Sequence, residues 1–342
     1  MEISRNNHYI PQMYLSRWGN NKKIQVYRLL VSDEKVPMWS EQSIEHTGSM
    51  MNLYVNIRRD NEYDDIEHEL NARFEFPAKA SLDKVCCECK MTKEDWERIS
   101  KYVLSQYFRT PACFIWVKDL GNDFLPKQID ELAEDLACLT DVPKERHEIP
   151  EEAIYMPISV KPTGVYPDKE HQYVEISAVS GKGLWLMVLK SVLNENSASV
   201  EKFRDMKWSI ISAASGETWP CCDDPVVVCD YIGDHFIRRP RNVGLAQKTC
   251  AIIFPVSPEK ALIGTNTRMF DWRFQADLEM TQNIRQVIVN NAFMYVYDSD
   301  KSGTIPAIRH RTVNIQEYNR LKEAFGEWFD KYKEIEGPLL NR

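Results

Sequence analysis

Apolar positions recur with two periods along the chain, and the two are distributed unevenly. Near the N-terminus, IQVYRLL (24–30) has the β-branched and aromatic content of a strand and follows a GNNKK turn; NLYV (52–55) is a second, shorter extended piece. Ile66, Leu70 and Phe74 then repeat every fourth residue, which predicts a helix beginning after Asp60. Pro77 should kink or stop it, because a proline pushes the preceding Phe76 out of the α region. A better-marked helix follows. Thr92 stands three residues before Asp95 as a capping box, Glu94 and Asp95 occupy the first turn, and Ile99, Val103 and Tyr107 carry the stripe until Pro111. Ile129, Leu132, Leu136 and Leu139 mark another amphipathic helix, and the proline-rich stretch from Pro143 to Pro167 is predicted to be a long connection.

The second half changes character. GLWLMVLKSVL is predicted to be a buried helix by its length. KWSIISA (207–213), PVVVC (225–229), AIIFPVS (251–257) and ALIGT (261–265) are short β-rich runs separated by turn residues, the pattern of an antiparallel sheet. Helical spacing returns over ADLEMTQNIRQVIVNNAFMYVY through Leu278, Ile284, Ile288 and Ala292, and a last amphipathic helix is predicted over 315–335. No internal repeat or heptad array interrupts this order. The expected fold class is α+β: mainly helical N-terminal and middle parts packed with a small antiparallel sheet from the C-terminal half. We expect one unit over 1–342, with a mostly helical lobe (1–142) and a lobe of sheet plus helices (168–342) joined by the proline-rich segment 143–167.

Composition narrows the class. With 342 residues, 43% hydrophobic, the chain can bury a large core and is too balanced to be disordered or low-complexity. The net charge of −8 argues against a protein coated in basic charge. That charge is local, however: residues 121–152 hold 10 acidic and 3 basic residues, which leaves the remainder near neutral. The N-terminus lacks the apolar core of a signal peptide, and no apolar run approaches the ~20 residues of a spanning helix, so no membrane association and a cytoplasmic location are expected. Nine cysteines include CCEC (86–89) and CC (221–222). Cys86 and Cys89 have C-x2-C spacing, but no second ligand pair accompanies them, so reduced, mostly buried thiols are expected.

Walker, dinucleotide, nucleophile-elbow and H-E-x-x-H motifs are absent, so candidate chemistry rests on polar residues set in apolar surroundings. His8 and Gln12 sit among Tyr9, Ile10, Met13, Tyr14 and Leu15; His8 either fastens the N-terminal arm or serves as a general acid or base. Glu67, Asn71 and Glu75 share one helix face, either a solvated stripe or carboxylates able to hold Mg²⁺. In YVLSQYFRTP, Gln106 and Arg109 lie in an apolar helix, where Arg109 needs a carboxylate such as Glu67 or Glu75, or an anionic ligand. Asp223 and Asp224 precede a buried strand, either as turn residues or as functional carboxylates, and Asn291 falls on the apolar side of its helix. Arginines cluster at FIRRPRN (Arg238, Arg239, Arg241) and IRHRT (Arg309, Arg311), candidates for phosphate contacts.

Taken in order, these segments resemble a family. HYIPQMYLSRW is similar to the HYVPQ-x-YL-x-x-F opening of the proteins grouped as domain of unknown function 4238. NLY, the D-x-x-x-x-IE-x-x-L run with Glu75 downstream, QYFRTP, W-x-x-x-x-A before DDPV, FPVSP and the late Asn before VYDS follow its order across residues 7–300. Trp18 stands where the family usually has Phe, and Cys221-Cys222 precede Asp223 where Ser or Thr is usual. The resemblance implies a single intracellular, bacterial-type domain and keeps His8, Gln12, Glu67, Arg109 and Asp224 in place. It implies no established reaction.

From the mixture of carboxylates, Arg and His, the expected activity is metal-dependent hydrolysis of a phosphodiester, a nuclease in a host-defence or toxin setting. Glu67, Glu75 and Asp224 would hold Mg²⁺ or Mn²⁺, His8 with Gln12 would move the proton, and Arg109 would stabilise phosphate charge, with Gln106 and Asn291 in support. Nucleic acid and a protein encoded nearby are the expected partners. The alternative is a non-enzymatic interaction protein in which the same constellation is structural.

Overall fold

The computed structural model describes residues 3–58, 61–138, 158–165, 172–178, 181–194, 197–241, 245–326 and 330. The fold is mixed α+β, but strands come from both halves of the chain rather than from one small C-terminal sheet. The N-terminal half contributes β1 (Asn6–His8), β2 (Lys23–Arg28), β3 (Trp39–Ser43) and β4 (Ser49–Met51). The C-terminal half contributes β5 (Lys207–Ser212), β6 (Cys221–Cys222), β7 (Val227–Ile232), β8 (His235–Arg238), β9 (Cys250–Ser257), β10 (Lys260–Thr265), β11 (Arg273–Gln275) and β12 (Tyr295–Asp298). A six-stranded sheet runs β8-β7-β9-β10-β5-β11, antiparallel except for β5 against β11. A four-stranded sheet, β6-β12-β2-β3, interleaves the two halves through the pairing of Tyr27 with Val296.

Helices surround these sheets: α1 (Phe76–Cys86), α2 (Lys93–Phe108), α3 (Pro111–Cys138), α4 (Lys182–Leu193), α5 (Ala198–Asp205), α6 (Leu278–Asn291) and α7 (Ile315–Gly326). Alternation along the central strands explains the layering. Ile210, Val228, Ile252, Phe254 and Leu262 join the core shared with the helices of the first half. Their neighbours Ile211, Val227, Cys229, Ile253 and Ile263 join a second core against α6 and β12. The large sheet is thus buried on both faces, which accounts for its near-continuous apolar strands.

Local signals explain most of the helix boundaries. Thr92 and Asp95 make the predicted reciprocal capping box, and α2 ends at Phe108. Pro111 then opens α3, where its missing N–H costs nothing. Pro77 does not stop the preceding helix. The chain passes from Asp65–Glu69 through a π-helical turn, Leu70–Glu75, into α1, and the wider turn accommodates the backbone bond that proline cannot make. Two further expectations need correction. Strand Ile158–Val165 lies inside the predicted connection and pairs with Gln172–Ala178, while the rest of that connection, 143–157 and 166–167, falls outside the described residues. The tail of the long C-terminal helical pattern, Tyr295–Asp298, is β12: helix α6 ends at Asn291 and pairing with β2 takes over.

The opening motif is chiefly an anchor for the N-terminal arm. Tyr14 donates to the Pro255 carbonyl at 2.8 Å and Trp18 to the Trp219 carbonyl at 2.8 Å, both side chains fully enclosed. Gly48, at φ +67°, accepts from the amides of Tyr9 and Ile10, and a Cβ there would stand 2.9 Å from Ile10 Cβ. Among the described residues, no helix is long and apolar enough to cross a membrane.

Candidate functional site

The predicted polar residues gather at two places, on either side of the C-terminal end of α2. The first is built on Arg109, which caps α2 and is fully buried. Its Nη1 meets Glu75 Oε1 at 2.6 Å, its Nη2 donates to the His8 carbonyl, and its Nε donates to Tyr54 Oη at 3.1 Å. Tyr54 in turn donates to the Arg109 carbonyl at 3.2 Å. This is the carboxylate partnership considered for Arg109, made by Glu75. Burial works against the guanidinium charge, yet Tyr54, Glu75 and Glu67 together hold its pKa above the ordinary value.

His8 lies at the outer edge of this junction. Its Nε2 is 3.1 Å from the Glu45 carbonyl, which can only accept, so that nitrogen carries the proton and Nδ1 is the basic one. Gln12 Nε2 lies 3.4 Å from the same ring nitrogen, and because both atoms carry hydrogen in this tautomer the approach is not a hydrogen bond. Burial lowers the His8 pKa, more than the bond to Glu45 raises it, which favours the neutral ring. Glu67 is pushed up to about 7, by burial first, against the pull of Arg109 and with the push of Glu75. Among the described residues its Oε2 is buried with no hydrogen-bond partner, as are both polar atoms of Gln106 and the hydroxyl of Tyr102 one turn earlier on α2. Asn71 is exposed, so the three-residue stripe predicted with Glu67 and Glu75 does not face one surface.

The second place is a cleft of about 540 Å³ lined by Asp224, Arg238, Arg239, Arg241, Asn291 and Arg309, with Glu317 on its α7 side. Thr110, the residue after Arg109, donates to Asp224 Oδ1 at 3.1 Å. Arg241 pairs with the same oxygen, donates to the Tyr107 carbonyl at 2.6 Å, and lies 4.2 Å above the Tyr107 ring. Asn291 donates to the Asp224 carbonyl at 2.6 Å and approaches its Oδ2 at 3.4 Å. Burial raises the Asp224 pKa even though Arg241 and Thr110 favour the carboxylate. Arg239 pairs with Asp230 at 3.3 Å, and Arg309 donates to the Ala292 carbonyl at 2.5 Å just past the end of α6. Arg238 is exposed and forms no ion pair among the described residues.

Four arginines from two separate sequence clusters therefore meet in one cleft, together with the predicted Asp224 and Asn291. Arg311 does not join them; it fastens the turn before β3 through the carbonyls of Glu34 and Val36. Nor do the carboxylates expected to share a metal stand together: Glu67 and Glu75 belong to Arg109, Asp224 to Arg241. Among the described residues, no group of three or more His, Cys, Asp or Glu is arranged to hold a metal ion.

The order of these residues along the chain decides the family. A family model described as protein of unknown function, DUF4238, matches residues 6–302, most of the chain. The chain belongs to the DUF4238 family. No curated protein and no solved structure matches it. In this DUF4238 chain the family-like segments divide by role. HYIPQ supplies His8 and Gln12 beside Arg109, QYFRTP supplies both Arg109 and Thr110, and DDPV supplies the two aspartates. Asp223 is structural: it accepts from the amides of Phe293, Met294 and Tyr295 and so ties β6 to the start of β12. Sequence reasoning missed Tyr54, Tyr107 and Thr110. Thr110 was signalled by its place between Arg109 and Pro111; the two tyrosines carry no local mark that separates them from core aromatics.

Proposed function

We propose that this DUF4238 chain binds a phosphodiester in the arginine-lined cleft and hydrolyses it, a nuclease activity in a host-defence or toxin setting. The observation that carries this reading is the convergence of Arg238, Arg239, Arg241 and Arg309 on one cleft against two lining carboxylates, Asp224 and Glu317. Arg239 and Arg241 are paired with Asp230 and Asp224, whereas Arg238 and Arg309 form no ion pair among the described residues; their charge in a partly desolvated cleft favours a polyanion, and the planar fork of arginine matches phosphate oxygens. In this reading Arg238 and Arg309 stabilise charge developing on the phosphate. Asp224, held by Thr110, Arg241 and Asn291, accepts the proton of the attacking water. No step is routed through a metal, because the carboxylates considered as ligands answer to different arginines.

The test incubates the purified full chain with labelled single- and double-stranded DNA and RNA, in Mg²⁺, in Mn²⁺ and in chelator. Cleavage is expected, with at least a hundredfold loss in Asp224→Asn and a smaller loss in Arg238→Ala. Inertness on every substrate in every ion condition overturns the proposal. Toxicity on expression that Asp224→Asn relieves would support the biological setting. A second reading has its own observation: the Arg109–Glu75–Tyr54 junction is enclosed and internally bonded, as an interaction protein with a structural polar core requires.

A further inference from the structure

Away from both arginine sites, the turn between α1 and α2 holds two exposed thiols against each other. Cys87 Sγ and Cys89 Sγ are 2.6 Å apart. The arrangement follows from how α1 ends. The Cys89 amide bonds back to the Lys84 carbonyl at 3.1 Å, the Cys87 amide bonds to Asp83 at 3.0 Å, and Glu88 between them adopts φ +57°. This is a helix stop with a left-handed residue where glycine is usual, and it turns the flanking side chains toward one another. A glutamate in that conformation is disfavoured unless it is held. Here it is held from the large sheet: Lys260, at the start of β10, pairs with Glu88, and Arg273 of β11 donates to the Cys89 carbonyl. The third thiol of the run, Cys86, is turned aside and accepts from Arg17 Nη1 at 3.1 Å.

We propose that Cys87 and Cys89 form a reversible dithiol–disulfide site that exchanges with low-molecular-weight disulfides. In the first step the Cys87 thiolate attacks one sulfur of a disulfide RSSR, forming a Cys87–SR mixed disulfide and releasing RS⁻. The Cys89 thiolate then attacks the Cys87 sulfur, closing the Cys87–Cys89 bond and releasing the second RS⁻. The two protein thiols are oxidised, the small disulfide is reduced to two thiols, and the two protons pass to the released thiolates. The bond from Cys89 lowers the Cys87 pKa and raises that of Cys89, which suits Cys87 as the attacking sulfur. Cys89 and Glu88 also form part of the wall of a separate cleft with Trp96 and Trp272, so closing the bond acts on that wall.

Cys86→Ser in the full chain leaves two thiols in the turn. After treatment with glutathione disulfide, Cys87 and Cys89 should both resist alkylation, show loss of two hydrogens by peptide mass, and regain reactivity with dithiothreitol. Adding Cys87→Ser or Cys89→Ser should instead leave a stable glutathione adduct on the remaining thiol. The proposal is overturned if both thiols stay alkylatable, if each carries its own glutathione, or if the wild-type chain links Cys86 instead.

Discussion

The two arginine sites at the end of α2 use the same chemical pair, a guanidinium and a carboxylate, to opposite ends. At Arg109 the pair is closed: Glu75, the His8 carbonyl and the Tyr54 hydroxyl take its donors, and the side chain has no exposure. At Asp224 the pair with Arg241 is one wall of a cleft, and three further arginines line the same space. A buried, matched pair adds little net stability over an apolar one but is costly to break, because the survivor keeps its charge without a partner. In the open cleft Arg241 and Arg239 have carboxylate partners, while Arg238 and Arg309 form no ion pair among the described residues, which leaves attraction available for a ligand. The first site holds the N-terminal arm against the end of α2, and the second is the cleft on which the proposed binding rests.

The largest effect should come from breaking the closed pair. Arg109→Ala leaves Glu75 and the His8 carbonyl without their donor, and urea denaturation should show a loss of about 3–5 kcal/mol. A loss below 1 kcal/mol would mean that the junction is not closed. Next comes pH. The folded pKa of Glu67 is about 7, against 4.5 for the free group. Between those values the folded state binds more protons than the unfolded one, so stability falls as pH rises from 4.5 through 7. Glu67→Gln should remove that slope and exceed the wild type at pH 8 by on the order of 3 kcal/mol. Equal pH profiles for the two proteins would contradict the assigned environment.

The smallest effect on folding, and the one that sharpens the contrast most, belongs to Arg238→Ala. This side chain is exposed, so stability should change by no more than about 0.5 kcal/mol. If the cleft binds a nucleic-acid backbone, the slope of log affinity against log salt should fall by about 1. His8→Ala supplies the cross-check: a structural His8 lowers the melting temperature and leaves cleft affinity intact. Lost cleavage at wild-type stability would instead place proton transfer at the first site.

Much of the architecture was legible along the chain. The capping box at Thr92, the end of α2 before Pro111 and the β-rich runs that form β7, β9 and β10 rest on local preferences, so residue order suffices to predict them; that the next helix already starts at Pro111 was not predicted. The passage through Pro77 was not legible, because a π turn is a compromise between local winding and the packing of Leu70 and Phe74. Strand β12 was hidden for a similar reason: Tyr295 to Tyr297 fit a helical pattern until β2 offers a pairing edge.

By itself, the sequence determined the family, the mixed composition of helix and strand, and the charged and amide residues around which the two sites are built, but not their partners Tyr54, Thr110 and Asp230. Tertiary structure decided how those residues are divided. Arg109 and the arginines at 238, 239, 241 and 309 are the same side chain with the same charge, and no local pattern tells which of them is matched. That depends on carbonyls and carboxylates supplied from distant segments, such as His8 to Arg109 and Thr110 to Asp224. Burial then fixes the outcome, since desolvation makes a matched charge part of the scaffold, and an unmatched one stays where solvent or a ligand can reach it.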